Sequence, residues 1–230
     1  MSRAFKAAIL LAAAAGLSQI TASANGSGAG AMAVPSSSMA PRTPEERAVE
    51  AYKNGDGHRV KGRKLEAEAA TKKAGDAEKA LSKARGEFEK ALKDFKNAAQ
   101  LNPQLFQAYN GMGYAYRKTG DFAKALEMYD QAIMMAPGFY AEAVEYRAEA
   151  YLSLNRVDDA RKAYLELLAA DRKQADDLML VMKAWVAARR ANASGVDAAT
   201  IDAFEKWITE RDGIAKETRL MGVTSRYAGW

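Results

Sequence analysis

Apolar residues recur every three or four positions through the middle of this chain, and strict alternation appears nowhere. Between Ala77 and Ala98 they fall at Ala80, Leu81, Ala84, Phe88, Ala91, Leu92, Phe95 and Ala98. That spacing winds into one stripe along a helix, and the stripe must meet a neighbour. Pro103 ends the run, and Gly120 and Pro137 punctuate the two that follow: proline lacks the donor a helix needs, and both residues favour turns. No strand-like run of β-branched residues with period two occurs. The pattern predicts an all-α fold.

A helix start is written at Thr43-Pro44-Glu45-Glu46, which combines an N-cap hydroxyl, a proline in the first turn and a glutamate three residues on. This N-terminal helical segment covers 43–70. Within it Asn54-Gly55-Asp56-Gly57 is either a break or a tolerated weak point, since these residues favour turns and weaken helices. Beyond Arg172, the residues Leu178, Val181, Met182, Trp185 and Val186 mark one amphipathic helix. A second opens at Asp197, after Gly195, with Ile201, Phe204, Trp207 and Ile208. Residues 173–221 are expected to close the fold as a C-terminal hairpin, Trp185 and Trp207 serving as core rings. Residues 222–230 form a tail whose Tyr227 and Trp230 are either a short recognition motif or packed back.

The central segment repeats. Phe88, Ala91, Phe95, Ala98 and Pro103 return 34 residues later as Phe122, Ala125, Tyr129, Ala132 and Pro137, a regularity that marks a repeat architecture. Tyr116, Ala125 and Tyr129 then return as Tyr151, Ala160 and Tyr164 at a spacing of 35, which places one added residue in a connection. On these residues the chain resembles the tetratricopeptide repeat family. Tyr109, Met112, Gly113, Tyr116, Ala125, Tyr129, Ala132 and Pro137 occupy its signature positions, with Gly120-Asp121 at the turn between two helices.

The resemblance covers about 71–172 and divides it into a degenerate unit at 71–105, a well-matched unit at 106–140 and a degenerate unit at 141–172. The first keeps its second helix, 88–101, but lacks the aromatic and small residues of the other. The last carries Arg147 where a large apolar residue is usual. The resemblance implies a right-handed α-solenoid of antiparallel hairpins, each hiding its apolar face only against the next. It also implies a partner-binding groove lined by the first helix of each unit, at positions that here read Gln107, Asn110, Tyr114, Arg117, Lys118, Glu142, Glu145, Tyr146 and Glu149.

Composition adds the compartment. The chain has 230 residues, 49% of them hydrophobic and 27% charged, the balance of a soluble globular protein. Arg3 and Lys6, then apolar residues at 7–17, then Ala22-Ser23-Ala24 have the order of a cleavable signal peptide, 1–24, with cleavage after Ala24. The apolar stretch is far shorter than the roughly 20 residues of a membrane-spanning helix, and no transmembrane segment is expected in the mature chain. Residues 25–42, rich in Gly, Ser, Ala and Pro, predict a disordered tether. The absence of cysteine removes disulfides and a lipid-bearing thiol, and together with export points to a bacterial periplasm. Asn192-Ala193-Ser194 fits the glycosylation triplet of a eukaryotic secreted protein, a pattern frequent by chance.

Candidate chemistry is sparse. The single histidine, His58, lies beside a Gly-rich turn with no thiol to activate and no evident partner, so nucleophilic catalysis is poorly supplied. Asn54, Asp56 and His58 begin like a calcium loop, but Arg59 stands where glycine is required and Leu65 where an acid is required. A phosphate loop needs a strand before it, and none is predicted. No catalytic residue, metal or cofactor is assigned. Residues 59–96 hold 12 basic and 7 acidic residues, an excess that suits an anionic membrane surface or polyanion, although interleaved pairs such as Glu89 and Lys93 suit a solvated face equally. Glu142, Glu145 and Glu149 share one helical face, which favours a basic or amine-bearing partner and opposes the carboxylate-gripping specificity of some relatives. The expected function is non-enzymatic: a scaffold or adaptor of the cell envelope that holds a protein or peptide, not nucleic acid.

Overall fold

The computed structural model describes residues 42–227, with side chains through Ile214. The signal peptide expected at 1–24 and all but the last residue of the 25–42 tether lie outside the described residues. Within them eight α-helices follow one another: α1 Pro44–Ala70, α2 Ala74–Leu101, α3 Phe106–Thr119, α4 Phe122–Met135, α5 Ala141–Ser153, α6 Val157–Ala170, α7 Arg172–Ala191 and α8 Ala198–Tyr227. No strand occurs among the described residues.

Thr43 caps α1 with a capping box closed by Glu46. The helix then runs without a break through Asn54-Gly55-Asp56-Gly57. The reason is tertiary. A Cβ on Gly55 would lie 2.8 Å from the Phe95 ring, and one on Gly62 2.5 Å from the Phe88 ring. Two glycines seven residues apart thus let two phenylalanines of α2, also seven apart, press onto the α1 backbone. The glycines are contact sites rather than a turn.

Helix α2 is likewise continuous over 28 residues. This corrects the expected hairpin at 71–105: that stretch contains a single helix, whose antiparallel partner is α1. Its stripe runs on through Ala80 and Ala84 to Phe88, Ala91, Phe95 and Ala98, all buried, and with α1 alongside nothing obliges the chain to turn inside it. The first hairpin is about twice as long as those after it.

The next two hairpins, α3–α4 and α5–α6, follow the repeat. Phe95 also meets α3, where a Cβ on Gly111 would lie 2.8 Å from its ring, and Tyr129 presses on Gly113, where a Cβ would come within 2.6 Å. Gly120 turns α3 into α4 with φ 94°, a left-handed conformation that glycine adopts without penalty. Asn155 takes that role between α5 and α6 with φ 61°. Its side-chain oxygen accepts from Arg189 of α7 at 3.0 and 2.6 Å. The added residue of the 35-residue step lies between α4 and α5, whose connection has five residues against four between α2 and α3. Arg147, in its usually apolar place, bridges Asp130 of α4 at 2.7 Å and Glu166 of α6 at 3.3 Å.

Helices α7 and α8 continue the stack as a fourth pair. Asp171 caps α7 through Gln174 N at 3.1 Å. Trp185 is buried and donates from Nε1 to the Leu152 carbonyl at 2.7 Å. Phe204 lies between it and the half-buried Trp207, which also meets Tyr164 with ring centroids 5.4 Å apart. Both tryptophans therefore sit in or against the core. Helix α8 continues to Tyr227, so most of the 222–230 tail has helical backbone; Trp230 lies outside the described residues. Helices α1, α3, α5 and α7 stand next to one another in one row, each packed on its antiparallel partner from the second set. No helix among the described residues is long and apolar enough to cross a membrane.

Candidate functional site

The row of first helices carries the polar residues. Arg59 on α1 donates to Asp56 at 2.8 Å and to Glu142 on α5 at 3.3 Å, with its guanidinium 5.5 Å from the Tyr114 ring on α3. Burial disfavours its charge, but Asp56, Tyr146 and Glu142 hold its pKa above the ordinary arginine value. Asn110 is 3% exposed. Its Nδ2 donates to the Tyr140 hydroxyl at 3.0 Å and to Glu142 at 3.2 Å. Glu142 thus receives hydrogen bonds from three side chains, the third being Tyr140.

Two turns further along α3, Arg117 donates to the Tyr129 hydroxyl at 3.3 Å and pairs with Glu149 of α5. Burial opposes its charge as well, and Glu149 with Tyr129 and Tyr114 more than compensates. Its guanidinium lies 5.2 Å from the Tyr114 ring and 5.3 Å from that of Tyr146. Lys118 donates to Glu66 of α1 at 2.8 Å. Burial pushes the Tyr129, Tyr140 and Tyr146 hydroxyls upward, so all three stay protonated donors.

Glu145 stands apart. It lies between Glu142 and Glu149 in sequence, yet no cation pairs with it and no donor reaches it among the described residues. Burial first, then Glu149 and Asp177 of α7, push its carboxyl up to about 8. A carboxylic acid held there is largely neutral at pH 7. Asp177 itself meets Lys173 at 2.8 Å.

The nine residues expected to line a groove all lie on the adjacent helices α3 and α5, but not as nine free side chains. Asn110, Tyr114 and Arg117 are buried, and Lys118 is tied to Glu66. The three glutamates share a face without concentrating their charge, because arginines from neighbouring helices meet two of them and burial neutralises the third. Gln107, Glu142, Glu145, Tyr146 and Glu149 remain part-exposed. Sequence reasoning missed Arg59, Glu66 and Asp177. Arg59 and Glu142 lie 83 positions apart, and only the seven-residue glycine pair in α1 hints at how that helix docks.

His58 has partners after all: Nδ1 lies 2.7 Å from Glu87 and Nε2 3.8 Å from Asp94, both on α2. It links the first hairpin instead of facing a nucleophile. Hydrogen bonds from Lys90 and His58 lower Glu87 to about 2. The 59–96 run is divided between two antiparallel helices. Arg59 turns toward α5, while Lys72, Lys79, Arg85 and Lys90 pair with acids one turn away. Among the described residues no cluster of three His, Cys, Asp or Glu is arranged to hold a metal.

Residues 110–175 match the tetratricopeptide repeat family and residues 83–120 match a second repeat description of the same kind, the TPR repeat. Among solved structures, the TPR2B-domain:pHsp70-complex of yeast Sti1 is similar, with 16% identity over 72% of this chain and 98% of that one, at a TM-score of 0.36. The long first hairpin and the α7–α8 pair lie largely outside the matched span. Within this all-α stack of helical hairpins, residues 83–175 are similar to tetratricopeptide repeats.

Proposed function

We propose that this chain is a non-enzymatic scaffold or adaptor of the bacterial cell envelope, holding a segment of a partner protein against the face formed by α1, α3, α5 and α7. The observation that carries the reading is the linkage of that face: Arg59–Glu142, Asn110–Glu142, Arg117–Glu149 and Lys118–Glu66 join α1, α3 and α5 through side chains. Such a network fixes side-chain positions in advance of binding, so less ordering entropy opposes association. The part-exposed Gln107, Glu145 and Tyr146 stand on that prepared surface. The two basic residues, apolar run and Ala22-Ser23-Ala24 at the start of the sequence support export to the periplasm.

A photo-crosslinking side chain at Gln107 or Tyr146 tests the binding reading in intact cells. Capture of one discrete partner from these positions, but not from Leu165 on the exposed side of α6, is the expected result. Equal capture from both sides, or none from the first-helix face, sinks it. Sequencing the amino terminus of the periplasmic fraction tests export, with Asn25 as the expected first residue. Attachment to an anionic surface through 59–96 predicts instead a steep loss of binding with added salt.

A further inference from the structure

The first-helix face is short of hydrogen-bond donors. Glu145 has neither a cation nor a donor among the described residues. On the helices packed to either side of it, three buried amide oxygens have no partner: Oε1 of Gln107 and Oδ1 of Asn110 on α3, and Oε1 of Gln174 on α7. Gln107 and Asn110 are three residues apart and share a helical face, as Gln174 and Asp177 do. Asn110 is 97% withdrawn from solvent, and its amide is oriented by donation to Glu142 and Tyr140, which leaves its oxygen as the unmet acceptor. Turning the amide over would set that oxygen against the Glu142 carboxylate. Buried polar groups are ordinarily satisfied, and each exception asks for a reason. Four acceptors on three adjacent helices, with Arg59, Arg117 and Lys118 already bound to other acids, ask for a ligand rich in N–H groups.

We propose that the surface around Glu145, between α3, α5 and α7, receives an arginine side chain of an extended partner segment, the guanidinium pairing with Glu145 and further N–H groups meeting the unsatisfied amides. This rests on the binding reading above and gives it a partner chemistry. A guanidinium supplies five donors in a plane and no acceptor. Glutamate in the same place meets Glu142, Glu149 and Asp177 as like charges, and an apolar side chain leaves the acceptors as they are.

The groups facing Glu145 are Glu142 and Glu149 on its own helix, Arg117 on α3 and Asp177 on α7, with Lys173 more weakly coupled. Most of them oppose its ionisation. Pairing with a cation therefore requires Glu145 to lose its proton, which links capture to pH. Retention rises as pH increases and levels off above about 8.

Three degenerate nonapeptide pools test this, identical except for a central arginine, norleucine or glutamate, and passed over the immobilised full chain and its E145Q variant between pH 6 and 9. The expected result is that the arginine pool is retained about tenfold better than the norleucine pool at pH 8.5, as one partly buried charge pair provides. The advantage should shrink toward pH 6. E145Q should lose both the advantage and its pH dependence, while its circular dichroism matches that of the unaltered chain, which shows that its fold persists. Equal retention of arginine and norleucine pools by the unaltered chain overturns the arginine site and leaves the scaffold reading standing. So does an advantage that survives in E145Q. Retention of no pool at all overturns both.

Discussion

The guanidinium of Arg117 and the carboxylate of Glu149 meet between α3 and α5 with only 5% and 17% of their side chains exposed. A pair this deep is stabilising only as a pair, because a charge left alone in such surroundings is poorly solvated. Arg117→Ala is expected to lower stability by about 3–5 kcal/mol. Replacing both residues, as Arg117→Met with Glu149→Leu, should recover most of that loss, because no uncompensated charge remains. Denaturant unfolding of the single and double variants measures the difference, and a double variant as weak as Arg117→Ala contradicts it.

Gly55 and Gly57 lie two positions apart in the same helix and should respond oppositely to alanine. At Gly57 an added Cβ meets nothing within 4 Å, so Gly57→Ala should stabilise by about 1 kcal/mol through helix propensity alone. At Gly55 the Cβ would fall 2.8 Å from the Phe95 ring, and Gly55→Ala should cost about 1–3 kcal/mol as the helices are forced apart. Thermal melts of the two variants provide the comparison.

Glu145 predicts a pH effect on stability. Its pKa is about 8 in the fold against 4.5 for an ordinary glutamate, so the folded state binds the proton more tightly. The stability this confers is fully present below about pH 4.5 and is lost as pH rises through about 8. Unfolding free energies of the unaltered chain and of E145Q should therefore converge at low pH and separate in favour of E145Q toward pH 8.5. A constant difference across that range would contradict the assignment.

Arg147 replaces an apolar residue, and its partners are half exposed: Asp130 at 56% and Glu166 at 49%. Pairs of that kind contribute little, roughly 0.2–1 kcal/mol. Arg147→Leu should stay within about 1 kcal/mol of the unaltered chain. A larger loss in calorimetry would show the bridge between α4 and α6 to be structurally required.

Where the sequence was misleading, the cause is specific. Asn54-Gly55-Asp56-Gly57 stays open between a break and a tolerated weak point because glycine and asparagine weaken an isolated helix, and nothing local reveals that Phe95 needs the space. The 71–105 stretch reads as a worn repeat because its second half matches one, whereas a 27-residue partner, α1, lies before it. His58 looks unpartnered because Glu87 and Asp94 reach it only when α1 and α2 lie antiparallel. That residues 107–118 and 142–149 lie on the first helices of their units was legible from the repeat spacing, whereas their role as a groove lining is what the family resemblance implies.

Helical character, the 34-residue period, the turn at Gly120 and the burial of Phe88, Phe95, Tyr129 and Tyr164 were all determined by the sequence itself. Each depends on spacing along one chain and on how large an apolar surface a side chain carries. Which charges remain available was decided only by the tertiary structure. Arg59 and Arg117 reach Glu142 and Glu149 from other helices, and burial beside Glu149 and Asp177 leaves Glu145 neutral and without a partner. Electrostatic character is a property of distances between elements and of lost water, and neither is written in the order of residues.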